Sequence, residues 1–258
     1  MSDERAPRDR VRIGDVLVDR VSMRDATEAL EAFLSSPTPH HIVTVNLDFL
    51  AIAGRNAAFR DALNGADLAV ADGMPLVWLS KLRRTPLPER VTGVDLVAEA
   101  CRLTAARRGR VFLLGAAPIT LQRAASSLER RYPRLRLAGM YSPPFRRLDG
   151  EEDRFLVEMV RDAKADVLLV ALGAPRQDLW IRANLAETGA KIAIGVGCVL
   201  DLLAGDVDRA PRWMQRSGLE WFHRLVSEPD RLWWRYFVND IPTLARLAVE
   251  SLAPGGAR

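Results

Sequence analysis

The chain has 258 residues, 48% hydrophobic and 27% charged, so it is long enough to bury a core as one large or two small domains. Its 17 glycines and 15 prolines follow no period, and two cysteines and three histidines are too few for a disulfide framework or a four-ligand zinc site. The net charge of +4 rests almost entirely on arginine, and with no 20-residue apolar stretch or secretory signal we expect a protein of the reducing cytoplasm.

The first predicted elements follow a charged start, residues 1–10, which we expect to be disordered. Apolar residues on either side of a Gly14-Asp15 turn over 11–18 predict a short pair of strands. Helical spacing over 23–34 predicts an amphipathic helix with Ser22 as its N-cap, and 41–45 reads as a buried strand.

The middle of the chain repeats a pattern of an apolar strand, a glycine-containing turn and a helix. The predicted strands are 68–71, 110–114, 135–141, 166–172 and 190–196. Unbroken apolar strands that alternate with helices are typical of a parallel sheet covered on both faces. Residues 11–205 are therefore predicted to form an α/β, Rossmann-like core, with ligands at the carboxyl ends of its strands.

Residues 206–252 form a predicted C-terminal helical appendage rich in arginine and tryptophan, followed by a tail, 253–258. Between 209 and 235 there are six arginines against three acids, and four of the six tryptophans of the chain. Arginine binds phosphate in a bidentate fork, and tryptophan favours membrane–water boundaries. The segment thus indicates a phosphorylated partner, an anionic membrane surface, or both. The alternative is a helix packed on the core with its tryptophans inward.

Polar side chains end two predicted strands. Thr44 and Asn46 follow one strand and Asp72 follows another, which places them at the ligand-binding edge of a parallel sheet. Such a cluster suits the binding of hydroxyl groups, with Asp72 able to accept a proton. The alternative is that Asp72 and Gly73 form only a turn.

Two further motifs have both a functional and a structural interpretation. Gly195 and Gly197 could hold a phosphate or simply allow close packing, and Leu200 stands where a dinucleotide-binding fingerprint needs its third glycine. Asp206 and Asp208 match an Asp-x-Asp metal pattern, although paired acids in a loop are usually without function.

The order of these motifs resembles the bacterial WecG/TagA/CpsF glycosyltransferase family (glycosyltransferase family 26) over roughly residues 12–240. No single stretch is specific to this family, but the presence of all of them in the order that the family has is specific. The stretches are 44–46, 66–73, 89–95, 111–115, 172–178, 195–197, 204–205, 209–215 and 219–225, with Glu228, Pro229 and Arg231.

The resemblance implies an inverting, metal-independent glycosyltransferase that needs no cofactor. The expected donor is a UDP-sugar of the N-acetylmannosamine type. The expected acceptor is an undecaprenyl-diphosphate-linked N-acetylglucosamine, as used in cell-wall or exopolysaccharide synthesis. The family usually has basic residues where this chain has Asp206 and Asp208, which weakens their interpretation as metal ligands.

The resemblance also assigns roles to particular residues. It implies Asp72 as the general base that deprotonates the acceptor hydroxyl, with Thr44 beside it. In some relatives a third appendage arginine falls at Trp234, next to Arg235, so the register there is open. The implied substrate-binding set is Asn46, Arg90, Gln177, Gly195, Gly197, Arg209, Arg224 and Arg231.

Several alternatives stay open at this stage. The donor could be another UDP-sugar, such as UDP-glucose or a UDP-uronic acid. A dinucleotide-dependent oxidoreductase would need the complete glycine fingerprint, and a non-catalytic membrane or nucleic-acid binding protein would use only the basic tail. With three lysines we predict no nucleic-acid partner. We expect a peripheral protein on the inner face of the plasma membrane, bound through the appendage, and keep a homo-oligomer among the candidate partners.

Overall fold

The computed structural model describes residues 9–146 and 148–252, without the side chains of Arg216 and Arg231. Residues 1–8 and 253–258, within the predicted disordered start and tail, lie outside the described residues. The strands are β1 (Arg10–Ile13), β2 (Val16–Asp19), β3 (His40–Val45), β4 (Leu68–Ala71), β5 (Arg110–Gly115), β6 (Arg136–Tyr141), β7 (Val167–Ala171) and β8 (Ile192–Gly195).

Strands β3 to β8 form one parallel sheet in the order β4-β3-β8-β7-β5-β6, and β1 and β2 form an antiparallel hairpin beside it. Gly14, at a φ of +59°, makes the tight turn of the hairpin. The predicted α/β parallel sheet is confirmed, with each of its predicted strands present.

Helices connect the strands as the hydrophobic spacing predicts. The first helix is capped as expected, because Ser22 and Asp25 bond reciprocally in a capping box. The helices are α1 (Met23–Ser35), α2 (Leu47–Ala53), α3 (Ala57–Asn64), α4 (Met74–Leu82), α5 (Gly93–Ala106), α6 (Pro118–Arg131), α7 (Gly150–Ala163), α8 (Arg176–Thr188), α9 (Val199–Ala204), α10 (Arg212–Ser217), α11 (Glu220–Ser227), α12 (Pro229–Trp234), a π-helical segment (Arg235–Asp240) and α13 (Ile241–Leu252).

Side chains that alternate along the strands build a core on each face of the sheet. On β5, Leu113 packs with α1, α5, α6 and α9, whereas Phe112 and Leu114 pack on the opposite face with α7 and α8. The hairpin and α2, α3 and α4 complete that opposite face. Helices on both faces are therefore confirmed, and they leave the carboxyl ends of the strands as the place for a site.

The C-terminal segment is helical, and its last helix returns to the core. Leu247 of α13 is buried in the same cluster as the hairpin and α4. The tryptophans of the segment are instead exposed, so the alternative of inward-facing tryptophans is wrong. Their exposed fractions are 63% for Trp213, 42% for Trp221, 54% for Trp233 and 65% for Trp234. Within the described ranges, no helix is long and apolar enough to cross a membrane.

Candidate active site

Asp72 lies directly after β4, at the carboxyl edge of the sheet. Its backbone N–H donates to the carbonyl of Val45 on β3 at 2.7 Å, so the end of the strand is fixed. Its carboxylate Oδ2 accepts a hydrogen bond of 3.1 Å from the backbone N–H of Gly93, the first residue of α5. Gly93 has no side chain, and both neighbours come close to its backbone: a Cβ atom added there would lie 3.3 Å from Asp72 Oδ2 and 3.5 Å from Thr44 Oγ1. The structure thus brings Asp72 and Thr44 together around Gly93.

The surroundings of Asp72 change its acidity. Although the residue keeps some solvent contact, desolvation dominates and raises its pKa to about 6. The Gly93 hydrogen bond and the charges of Arg90 and Arg224 act in the opposite direction, while Glu220 raises the pKa further. A carboxyl group with this pKa is mostly ionised at neutral pH and is a stronger base than an ordinary aspartate.

An ion-pair network joins the appendage to the core beside Asp72. Arg90 Nη1 lies 3.0 Å from Glu220 Oε2 of α11, and its Nη2 donates to the carbonyl of Gln215 at 3.3 Å. Arg209 makes a bidentate pair with Asp95 of α5, at 2.7 and 2.8 Å, and its Nε lies 3.5 Å from Glu220 Oε1. Each nitrogen of the Arg209 guanidinium therefore already contacts a protein carboxylate.

Arg224 lies one helical turn after Glu220 and also faces the core. Its charge acts on Asp72, Tyr236 and Cys198, which places all three near its guanidinium. The side chain is 21% exposed, and its Nη2 lies 3.7 Å from Glu228 Oε1. Arg224 therefore lies within electrostatic range of Asp72, and its contact with a substrate diphosphate stays a prediction. Arg231 is in α12, but its side chain lies outside the described residues.

Gln177 is positioned at the centre of the sheet edge by α8. It is buried, and its Oε1 accepts a hydrogen bond of 3.2 Å from the backbone N–H of Gly197, which has a φ of +50°. A Cβ on Gly195 would lie 2.6 Å from Gln177 Nε2. Gly195 is therefore required for close packing, and Gly197 for its backbone conformation.

Two other predicted features have local structural roles. The Asn46 side chain accepts a hydrogen bond from Phe49 N at 3.0 Å and so caps α2, next to the strand that carries Thr44. Asp206 accepts hydrogen bonds from Thr120 at 2.8 Å and Arg123 at 2.6 Å. Among the described residues, no group of three or more His, Cys, Asp or Glu side chains is arranged to hold a metal ion.

Two acids of the network were not predicted as site residues. Glu220 and Asp95 were read only as parts of longer motifs, yet they hold Arg90 and Arg209 in place. Glu220 is one of three acids in an arginine-rich stretch, and nothing in the sequence sets it apart from the other two. The spacing of Thr92 and Asp95 indicates a helix start, which the structure has, but it does not reveal the pair with Arg209, 114 residues away in the chain.

A carboxyl group of raised pKa lies at a strand tip, and the charges of Arg90 from the core and Arg224 from the appendage act on it. Its place at the ligand-binding edge of a parallel sheet, beside arginines, suits an α/β enzyme that handles phosphorylated substrates. Comparison with known proteins gives the particular family. The chain belongs to the glycosyl transferase WecG/TagA/CpsF family, whose family model matches residues 11–256. This confirms the resemblance stated from the motifs and makes the chain a hexosyltransferase by homology.

Two relatives illustrate the similarity. One is an N-acetylglucosaminyldiphosphoundecaprenol N-acetyl-beta-D-mannosaminyltransferase from Bacillus subtilis (strain 168), which is 33% identical over 197 residues, covering 76% of this chain and 73% of the relative. Another, of the same name, is from Staphylococcus aureus (strain MW2) and is 28% identical over 232 residues, 89% of each chain. Neither name supports a different sugar or a non-catalytic role.

Proposed function

We propose that this protein transfers N-acetylmannosamine from a UDP-sugar to an N-acetylglucosaminyl-diphosphoundecaprenol acceptor. The names of the relatives support the sugar and the acceptor, and the UDP-linked donor follows from the reaction class. The observation that carries the proposal in this chain is the site of Asp72, a desolvated carboxylate at a strand tip with Arg90 and Arg224 close to it.

In the proposed reaction, Asp72 takes the proton from the acceptor hydroxyl while that oxygen attacks the anomeric carbon of the donor sugar. The bond from that carbon to the UDP oxygen breaks on the opposite face, so the configuration inverts. Gly93 N–H fixes Asp72 Oδ2, which leaves Oδ1 for the proton. Thr44 lies beside the same point and is suited to orient the hydroxyl.

The departing UDP carries negative charge that must be stabilised. Arg224 is suited to this role, because its guanidinium faces the site and no hydrogen-bond partner engages its buried Nε in the described part of the chain. Gln177 and the backbone of Gly197 extend the polar surface along the strand ends. Arg209 is bonded to Asp95 and Glu220, so we assign it to positioning α11 instead of the substrate contact expected from the resemblance.

The test is turnover of UDP-N-acetylmannosamine with a short-chain lipid-diphosphate N-acetylglucosamine acceptor, followed by UDP release and by the disaccharide product. Asp72→Asn should lower the rate by about 10²–10⁴-fold, the range for loss of a general base. Asp61→Asn is the matched control, since Asp61 is an exposed acid on α3. A rate for Asp72→Asn within a few-fold of the control would remove Asp72 as the base. Equal turnover of UDP-glucose would contradict the proposed donor.

We also propose that the appendage binds peripherally to the inner face of the plasma membrane that carries the acceptor. Its outer surface is unusually apolar, and the ring of Trp233 packs against that of Phe237 one turn later, with the centroids 5.2 Å apart and the planes tilted by 31°. Large exposed apolar patches mark interaction surfaces, and tryptophan prefers the bilayer interface. The exposed set is Trp213, Leu219, Trp221, Phe222, Val226, Trp233, Trp234, Phe237, Val238 and Ile241.

Sedimentation with vesicles of anionic and of neutral lipid tests this proposal. Replacing Trp233 and Trp234 with serine should release the protein from vesicles, since each loses an exposed indole. Ile119→Ser is the control, because Ile119 is equally exposed on α6 of the core, at 53%. Retention that is the same for both variants and wild type would contradict docking through the appendage.

A further inference from the structure

A buried acid and histidine lie under the site and have no role in the proposed reaction. Asp178, in the first turn of α8, is fully buried, and His41 of β3 is 5% exposed. His41 Nε2 lies 3.6 Å from Asp178 Oδ1. Neither carboxylate oxygen of Asp178 has a hydrogen-bond partner within the described ranges. Burying a carboxylate in this way is costly, because its hydration is not replaced by hydrogen bonds.

The pair lies where three site-forming elements meet. Asp178 directly follows Gln177, and His41 is on the strand that carries Thr44. Gly195 is the last residue of β8. A Cβ atom added to it would lie 2.6 Å from Asp178 Oδ1 and 2.6 Å from Gln177 Nε2, so its backbone packs directly against these two side chains of α8. The first turn of α8 therefore contacts β3 through His41 and β8 through Gly195, next to the Gln177–Gly197 hydrogen bond.

We infer that His41 and Asp178 are positioning residues for the donor nucleotide. The contact between the two side chains holds the first turn of α8 against β3, and through it the Gln177 amide and the Gly195–Gly197 turn. This turn lies at the central strands, where Rossmann-like sheets bind nucleotides, whereas Asp72 lies at the edge strand β4. The inference rests on the proposed function and adds to it a separation of tasks: the pair serves donor binding and leaves acceptor binding to the Asp72 side.

Two single variants, Asp178→Asn and His41→Gln, each replace one member of the pair with little change in size. Each should raise the KM for the UDP-sugar and the Kd for UDP by about 10- to 100-fold, taking as a guide the loss on mutation of residues that orient the ligands of a metal site. The KM for the lipid acceptor should stay unchanged. The double variant should bind UDP no more weakly than either single one, because residues that act as a pair are not additive.

Asp153→Asn is the matched control, because it loosens the same helix, α8, from another side. Asp153 lies on α7 and accepts a hydrogen bond from Trp180 Nε1 of α8 at 3.0 Å, so its loss weakens the packing of α8 against α7 and leaves the contacts of α8 with β3 and β8 in place. It should lower the unfolding temperature and leave the Kd for UDP within twofold of wild type. If Asp178→Asn does not fold, His41→Gln carries the test.

Calorimetric titration with UDP distinguishes the outcomes. If both pair variants melt earlier yet bind UDP as wild type does, the pair is only structural and the inference is wrong. An equal rise in the acceptor KM would likewise overturn it, since α8 would then serve both substrates. If wild-type protein binds no UDP at all, the proposed function itself is wrong, which is a different result from a variant-specific change.

Discussion

The pH dependence of sugar transfer follows directly from the surroundings of Asp72. Desolvation raises the pKa of this carboxyl group to about 6, and only the ionised form can accept the acceptor proton. With that pKa, about one tenth of the enzyme is active at pH 5 and about nine tenths at pH 7. The value of kcat/KM should therefore rise about fivefold from pH 5 to pH 6, approach a slope of about tenfold per pH unit at lower pH, and level off near neutrality.

The assay is the initial rate of UDP release at low substrate concentration, from about pH 4.5 to about pH 8.5, because kcat/KM reports the pKa of the free enzyme. Asp72→Asn should have only a residual rate, and the acidic limb centred near 6 should be absent. A wild-type rate that stays constant between about pH 5 and pH 7, or an acidic limb that persists in Asp72→Asn, would refute the assignment of the limb to this residue.

Two further predictions use the same carboxyl group. Glu220→Gln should move the acidic limb to lower pH, because the Glu220 charge raises the pKa of Asp72, whereas Glu99→Gln, remote on α5, should leave it in place. The pKa of Asp72 is higher in the folded protein than in the unfolded chain, so the wild type loses stability as the pH rises between these two values. Asp72→Asn has no such loss. It should therefore raise the unfolding temperature above about pH 6 and leave it unchanged below about pH 4. The expected gain in the free energy of unfolding is at most about 3 kcal/mol, and solvent screening of the exposed part of Asp72 makes it smaller. An unchanged melting curve at pH 8 would contradict this prediction.

The sequence predicts the elements of this fold well because buried parallel strands and their covering helices have distinct periods. The same reasoning places Thr44 and Asp72 at one edge of the sheet, since both end strands of a single parallel sheet. It does not show that they meet at Gly93, which depends on how α5 approaches β4. The capping role of Asn46 was available from its position before a helix, and was missed because the site interpretation took precedence.

What the sequence could not show is pairing over long distances. Arg209 was expected to contact substrate because arginine suits phosphate, but the structure bonds it to Asp95, and no local pattern links the two. The return of α13 to the core is a similar case. The spacing of α13 predicts a helix, but only the tertiary structure shows Leu247 packed beside Gly14 of the hairpin.

Helix α11 reverses the usual amphipathic arrangement, in which apolar side chains face the core and charged ones face water. Glu220 and Arg224, one turn apart, face the core with side chains 16% and 21% exposed. Trp221, Phe222 and Val226 point outward, 42%, 48% and 66% exposed. Neither face of this helix is favourable by itself, because a buried charge needs a charged or hydrogen-bonding partner and an exposed aromatic side chain needs an apolar surface to pack against. The inward charges find Arg90 and the surroundings of Asp72, and a bilayer would cover the aromatics. One short helix would then bring the base, the arginine that faces it and the lipid-bound acceptor together.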